Sequence, residues 1–384
     1  MRNHAFSPSV IIVGASLAGA AAAIELGRRG ASVLLLDKAI FPRRKPCGEG
    51  LSARGRSELE RLGVSSAELR SIGREVGGYH IEYRGKVIEV ADSGGLIGVP
   101  REKIDDLVLR QALRCEGVSL QSGAALSSIT RRCGGFEVAW TGGSAMSEFL
   151  IIADGVNSRS ARLLGLTTPT VVNPRYGSSS AWRITAGSLR PFVTVVLVTG
   201  GEVYITPLLD GRCNISVLGM RELVQRASHV DYIRNLLERV PLLAGLKWKS
   251  IGMPLGAGPI NSGYRGSEIG GAFLVGDACE ALDPSGGFGM THALLSGRIA
   301  AECVGRALGG TPLEGELHRY ALERENAVRD MRGFTRMTVM MMGSTLGRTV
   351  LPAAARIGLM SLFSHAAHAP PRGSLVGRVL RFFG

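Results

Sequence analysis

The chain has 384 residues and is 45% hydrophobic, a size that suits about two domains with a sizeable core, and it holds no uninterrupted apolar run of roughly 18 residues from which a membrane-crossing helix would be expected. The six cysteines (47, 115, 133, 213, 279 and 303) form no CxxC pair and no metal-ligand spacing, which predicts a reduced, cytoplasmic compartment and no metal site. The net charge of +13 is unevenly spread: from Met331 to Gly384 there are seven arginines and no lysine or acid. That segment lacks the alternation of aromatic and basic residues of a nucleic-acid reader, so nucleic acid is excluded as the partner. Its Met, Leu and Phe content predicts instead an anionic membrane surface or an apolar partner, with attachment peripheral at the inner face of the membrane.

The first informative stretch runs from Val10 to Asp37, VIIVGASLAGAAAAIELGRRGASVLLLD. Val10 to Val13 is a short apolar strand of the kind buried on both faces. Gly14, Ser16 and Gly19 fall where a dinucleotide fingerprint has its three glycines, with Ser16 in place of the middle one. An Ala-rich helix from about Leu17 to Arg29 follows, ended by Gly30, and a second strand, Ser32 to Leu36, closes on Asp37. A helix start presents free amides and a positive dipole end to phosphates, and an acid at the end of the second strand accepts ribose hydroxyls. Nucleotide binding is the reading of this unit.

Next comes FPRRKPCGEGLS, a Pro- and Gly-rich loop in which Arg43 and Arg44 are placed to reach phosphates and Cys47 sits among small residues. A helix is expected from Ser52 to Leu62. Val76 to Val90 alternates around Arg84-Gly85 and reads as a hairpin outside the nucleotide sheet. Arg101 precedes a helix whose apolar face includes Ile104, Leu107, Val108 and Leu113. Phe136 to Trp140 and Phe149 to Ile152 are strands, the second leading into Ala153-Asp154-Gly155 and a helix. Phe192 to Thr199, Glu202 to Leu208 and Arg212 to Leu218 read as an antiparallel layer, and Leu223 to Leu243 as helical. Ala272 to Val275 is a further buried strand, followed by GDACEALDPSGGFGM and a long helix.

Four stretches in this order, GASLAG, the arginine of VPREKIDDLVL, ADG at 153–155 and GDACEALDPSGGFGM at 276–290, resemble the FAD-dependent superfamily of para-hydroxybenzoate hydroxylase-type (group A) monooxygenases and geranylgeranyl reductases. The resemblance implies an α/β fold: a doubly wound, Rossmann-like FAD-binding domain (1–75, 96–166 and 251–305), an inserted antiparallel β-sheet substrate domain (76–95 and 167–250), and a helical C-terminal segment (306–384). It implies FAD as cofactor, with NAD(P)H as reductant. Gly14, Ser16, Gly19, Asp37, Lys38, Arg44 and Arg101 would serve the ADP half. Asp154 and Gly155 form the second nucleotide motif. Gly276 and Asp277 would bind the ribityl chain, and Pro284, Gly286, Gly287, Gly289 and Met290 the flavin's pyrimidine edge. Tyr79, Trp182, Tyr204 and Pro207 are expected to line a pocket for a hydrophobic small molecule.

The departures bear on the reaction. Glu280 stands where the hydroxylases usually have histidine, and Ala161 where an arginine is common after the ADG motif. The PCGEGLS loop and SGRIAAE at the end of the late helix look more like the reductases, as does Tyr204 to Pro207, although it lacks their tryptophan. A halogenase two-tryptophan motif is absent. Cys47 and His292 are the candidate catalytic residues, each with a packing alternative, and Glu280 is either a base or a solvated loop carboxylate. Three readings follow: an NAD(P)H-dependent monooxygenase of a phenolic or quinone-type ring, a reductase of prenyl double bonds, or a flavoprotein that modifies a partner protein.

Overall fold

A computed structural model describes residues 8–91, 95–167, 174–260 and 263–349. The nucleotide unit forms as its pattern requires. Val10–Val13 and Val33–Asp37 are wholly buried parallel strands joined by the helix Leu17–Gly27. Their sheet has six strands in the order Glu268–Ile269, Ala272–Leu274, Phe149–Ile152, Val10–Val13, Val33–Asp37 and Val118–Ser122, all parallel except the first. Because Val13 aligns with Leu36 and Ile152, and Ile152 with Leu274, the loops that follow these strands emerge side by side. The carboxyl edge of such a sheet is where open α/β folds bind ligands.

The alanines have a packing reason. Ala20 to Ala23 are fully buried, and a Cβ on Gly297 of the helix Gly289–Leu308 would lie 2.1 Å from the carbonyl oxygen of Ala18. Two helices that approach this closely exclude larger side chains on either face, which explains both the Ala run and the SGRIAAE ending.

The second layer is an eight-stranded sheet. The hairpin Gly78–Tyr83 and Lys86–Ala91 turns at Arg84 and Gly85, both at positive φ, and adds to Val193–Val198 through a parallel pairing. Val193–Val198, Gly201–Pro207 and Arg212–Gly219 run antiparallel, as the sequence predicts. Arg175–Ala186 is a twelve-residue strand beside them that the pattern did not announce, since RYGSSSAWRITA is polar and small; its pairing with Arg212–Gly219, Lys247–Ser250 and Leu255–Ile260 makes it a strand. One face of this sheet, with Trp182, Val203, Ile205, Cys213, Ile215 and Val217, packs on the helices Arg221–Arg226 and Val230–Glu238. The other face looks toward the nucleotide domain.

The helix Leu313–Gly343 is the element whose role the sequence least foretold. It lies along Gly289–Leu308 and covers the Gly-rich loop, so closely that a Cβ on Gly286 would stand 2.0 Å from Thr335 Oγ1. Glu280 is the anchor. It is 4% exposed, it contacts Arg324, and it accepts hydrogen bonds from Arg332 at 2.7 and 2.9 Å. Neither expected role for Glu280 holds, because a base or a solvated carboxylate would not be buried between two guanidinium groups. Burial opposes its charge, but Arg332 and Arg324 outweigh burial and hold the carboxyl at about 2. Arg332 also binds Glu325, so this member of the basic tail is spent inside the protein rather than offered to a lipid surface. The remaining apolar tail runs, from Leu351 onward, lie outside the described residues, and among those described no helix is long and apolar enough to cross a membrane.

Replacing Glu280 with Gln removes the carboxylate that Arg324 and Arg332 share and leaves them only Glu325, so thermal or urea unfolding should show a loss of about 3 kcal/mol at neutral pH. The folded carboxyl titrates below its unfolded value. Its stabilisation is therefore complete above about pH 5 and is lost as pH falls toward 2, and the gap between wild type and Glu280→Gln should close over that window.

Candidate flavin site

At the carboxyl edge of the parallel sheet, Gly14 has φ 103, and a Cβ there would stand 2.4 Å from the Ala153 carbonyl oxygen. A Cβ on Gly19 would lie 1.8 Å from the Gly14 oxygen. The fingerprint and the ADG turn thus press backbone against backbone, and only glycine fits. Asp37 accepts the Ala15 amide at 2.9 Å and the Ala39 amide at 2.8 Å, which fixes its carboxylate at the mouth of the turn.

Ser16 has a structural answer. Its hydroxyl donates to Asp105 Oδ2 at 2.9 Å and accepts from Arg101 Nη2 at 3.0 Å, while Arg101 and Asp105 pair directly at 2.9 Å. Asp105, fully buried and on the helix begun by Arg101, is a site residue the sequence reading missed; its (i, i+4) spacing from Arg101 was the available signal. Burial opposes the charge of Arg101, but Asp105 and Cys47 outweigh it and hold the guanidinium firmly protonated. Restoring the fingerprint glycine with Ser16→Gly should therefore weaken the protein rather than improve it. Two hydrogen bonds to charged groups are lost, and unfolding should show a deficit of about 1.5 kcal/mol or more.

The CGEG loop is bolted to the substrate sheet. Asn214 Nδ2 and Ser216 Oγ donate to the Cys47 carbonyl at 2.8 and 3.1 Å, and Thr206 Oγ1 donates to the Gly48 carbonyl at 2.7 Å. Glu49, at φ 59, accepts the Arg101 amide at 3.0 Å, and burial pushes its carboxyl up to about 7. Lys45 is the second missed residue. Its Nζ lies 4.0 Å from where a Cβ on Gly155 would be, and burial, followed by Arg101, lowers the amine's pKa against the pull of Asp277 and Asp105. Arg43 stands 4.0 Å from Asp37 and 3.9 Å from Asp105.

Other expectations divide. Arg44 is exposed and donates to the Met253 carbonyl at 3.2 Å, so it belongs to the substrate side, and Arg43 takes the place beside Asp37. Lys38 is exposed on the strand end. Asp154 accepts the Ser160 amide and hydroxyl at 2.9 Å and keeps Oδ1 buried with no hydrogen-bond partner. Gly276 donates to Ser296 Oγ at 2.8 Å, and Asp277, just after it, faces Lys45 and His292. Pro284 opens the turn to Gly287. A Cβ on Gly287 or Gly289 would meet nothing within 4 Å, so this stretch borders open space, whereas Gly286 serves the contact with Thr335.

The Met290 side chain is 4% exposed and belongs to the main core. His292 is fully buried, neither ring nitrogen has a hydrogen-bond partner among the described residues, and burial with Arg324 lowers its pKa to about 4. An imidazole closed off beneath the helix start stays neutral at pH 7, which removes it as an acid. On the substrate sheet, Trp182 and Pro207 alternate onto the core face: Trp182 is 1% exposed and donates to Ser180, and Pro207 pairs with the core residue Cys213. Tyr79 and Tyr204 do share the opposite face, with Ile81, Val193, Val195 and Leu197, under Met341 and Met342. The Tyr204 hydroxyl is buried without a partner, and burial, then Glu202, raises its pKa well above the ordinary tyrosine range.

These residues fit FAD. The Gly14 turn leads into the start of the helix Leu17–Gly27, where a pyrophosphate is suited, Asp37 stands ready for ribose hydroxyls, Asp154 Oδ1 has no hydrogen-bond partner among the described residues, and Gly287 and Gly289 border open space. Comparison with known proteins agrees. The family described as FAD binding domain matches residues 8–179. The menaquinone reductase of Mycobacterium tuberculosis is 32% identical over 328 residues, 78% of this chain and 76% of that protein. The chain belongs to the FAD-dependent oxidoreductases of the geranylgeranyl reductase and para-hydroxybenzoate hydroxylase superfamily. The digeranylgeranylglycerophospholipid reductase of Methanosarcina acetivorans is 28% identical over 331 residues, 78% of this chain and 75% of that one. A geranylgeranyl bacteriochlorophyll reductase-like protein from Thermoplasma acidophilum shares the fold at TM-score 0.78 and 19% identity, over 98% of this flavoprotein and 99% of its own chain.

Asp277→Ala should lower FAD affinity by about ten- to a hundred-fold, the value of a hydrogen bond to a charged group, read by titration of the deflavinated protein. Unchanged affinity in a folded variant would mean that the ribityl chain lies elsewhere.

Proposed function

We propose that this oxidoreductase is a reductase of carbon–carbon double bonds in a polyprenyl lipid, with a nicotinamide nucleotide as the source of electrons. What carries this reading is the apolar sheet face of Ile81, Val193, Val195 and Leu197, closed by Met341 and Met342 and adjoining the CGEG loop, in a chain whose relatives are named as reductases of menaquinone and of a digeranylgeranyl lipid. FAD, when bound, supplies hydride transfer. The chain's own residues do the rest.

Arg101, the turn at Gly14 and Asp277 would hold the cofactor, and the CGEG loop is clamped to the sheet face beside them. That face excludes water and aligns an extended hydrocarbon, and the flexible thioethers of Met341 and Met342 adapt to its branches. Adding hydride to an alkene requires a proton at the neighbouring carbon. Tyr204 Oη is the group suited to hold it: it lies on that face, it has no hydrogen-bond partner among the described residues, and its raised pKa keeps it protonated across the physiological range.

Oxygen decides between this reading and hydroxylation. With geranylgeranyl substrates and NAD(P)H under strict anaerobiosis, product should form at the aerobic rate and mass spectrometry should show a gain of two hydrogens. A product that appears only in air and carries one atom of labelled oxygen would restore the monooxygenase reading. Tyr204→Phe should keep its FAD and lose turnover by about a hundred-fold, the usual scale of a lost proton donor.

A further inference from the structure

The strand Gly201–Pro207 sends Glu202, Tyr204 and Thr206 to the face that looks toward the nucleotide domain, since alternate residues of a strand share a face. Thr206 reaches the CGEG loop and Tyr204 joins the apolar patch, whereas Glu202 is a buried acid with partners of its own. It is 2% exposed and contacts Arg175, the first residue of the strand Arg175–Ala186. The second amino group of the same guanidinium donates to Asp283 at 3.1 and 3.2 Å. Asp283 belongs to the Gly-rich loop, where it also accepts the Ser285 amide at 3.0 Å and shapes the turn from Pro284 to Gly287. Arg175 therefore joins the substrate sheet to the loop expected at the flavin.

The sum of charges sets this cluster apart. Two carboxylates share one arginine, so a negative charge is left over in a place with little water. Buried carboxylates so arranged take up a proton readily, and burial outweighs Arg175 in pushing the Glu202 carboxyl upward. Arg348, beyond the helix Leu313–Gly343, pulls on Glu202 less than Arg175 does, and its guanidinium donates to the Val198 carbonyl at 3.2 Å. The other titratable neighbours are Tyr204 on the same strand and Tyr79 beside it, and a tyrosine brings no charge at neutral pH.

Tyr204 shows where such a proton would go. After burial, Glu202 is the group that most affects its hydroxyl, ahead of Arg175 and Asp283. That hydroxyl has no hydrogen-bond partner among the described residues. A donor that gives up its proton in a closed pocket needs a second group to restore it.

We infer that Glu202 is a proton store, filled when the flavin is reduced and emptied into Tyr204, with Arg175 as the positioning residue that holds it between sheet and loop. Hydride from a nicotinamide nucleotide reduces the flavin and adds negative charge beside the Gly-rich loop. That charge favours protonation of the cluster, and Glu202 takes one proton from water. The hydride then passes to one alkene carbon and the Tyr204 proton to its neighbour. Tyr204 recovers its proton from Glu202, whose carboxylate returns to Arg175. Each cycle thus consumes one hydride and one proton for one double bond. Uptake at Glu202 is independent of the substrate, while delivery through Tyr204 rests on the reductase reading.

The test is the flavin's midpoint potential against pH in the full-length, FAD-loaded protein without substrate. At mildly alkaline pH reduced flavin is itself an anion and takes up one proton with its two electrons. The wild type should take up more, approaching two, seen as a steeper fall of potential with pH. Glu202→Gln and Asp283→Asn each remove the excess charge and should return the count to one, while Tyr204→Phe should keep the wild-type count. Arg175→Gln leaves both carboxylates unpaired, so the proton is bound before reduction and uptake falls; Arg175→Lys should restore it. A wild-type count of one overturns the store without any variant. A count lost in Tyr204→Phe and kept in Glu202→Gln overturns the assignment to Glu202. Delivery is read from turnover with a geranylgeranyl substrate. The wild-type rate should fall as pH rises past the range in which the store fills, and Glu202→Gln should be about tenfold slower at neutral pH without that limb. Coincident pH profiles overturn delivery, whereas no turnover by the wild type counts against the reductase reading and leaves the store to the potentials.

Discussion

A single buried guanidinium ties the two halves of this protein together. Arg101 pairs with Asp105, donates to the hydroxyl of Ser16 in the fingerprint turn, and lies beside the Cys47 thiol; its own backbone amide binds Glu49. Cys47 and Gly48 are in turn held by Asn214, Ser216 and Thr206 of the substrate sheet. An unbroken series of hydrogen bonds thus runs from the nucleotide turn to the substrate face. A buried charge tolerates no loose partner, because each unsatisfied contact exposes the full desolvation cost. The placement of the CGEG loop against the sheet is consequently set by these polar contacts.

The same logic governs the other side of the cofactor. Glu280 sits in the loop that follows Asp277, and its two arginine partners come from the helix Leu313–Gly343. That helix presses Thr335 on Gly286 and delivers Met341 and Met342 to the substrate face. Arg324 and Arg332 of this helix therefore lock the Gly-rich loop. The position where hydroxylases usually carry histidine is a structural anchor here.

Excess positive charge is explained in part by this architecture. Arg43, Lys45 and Arg101 surround the place of a cofactor that brings two phosphates, and the lowered pKa of Lys45 reflects burial and the neighbouring Arg101. A bound pyrophosphate would offset that crowding. Part of the basic character of the chain is thus internal to the nucleotide side of the fold.

The sequence by itself determined the nucleotide half. Strand, turn, helix and terminal acid are local patterns, and Gly14, Gly19, Asp37 and Asp277 stand where their spacing put them, since a tight turn and a helix start are decided by the few residues that form them. The hairpin at Arg84-Gly85 was legible for the same reason. Tertiary structure alone decided what depends on distant partners. It made a strand of RYGSSSAWRITA, sent Trp182 and Pro207 to the core while leaving Tyr79 and Tyr204 on the opposite face, and put Arg43 rather than Arg44 beside Asp37. It also buried Glu280 between two arginines some 44 and 52 residues further along the chain. Which face of a strand meets the cofactor, and which carboxylate meets which guanidinium, follow from the register and packing of whole layers, and no local pattern of residues contains that information.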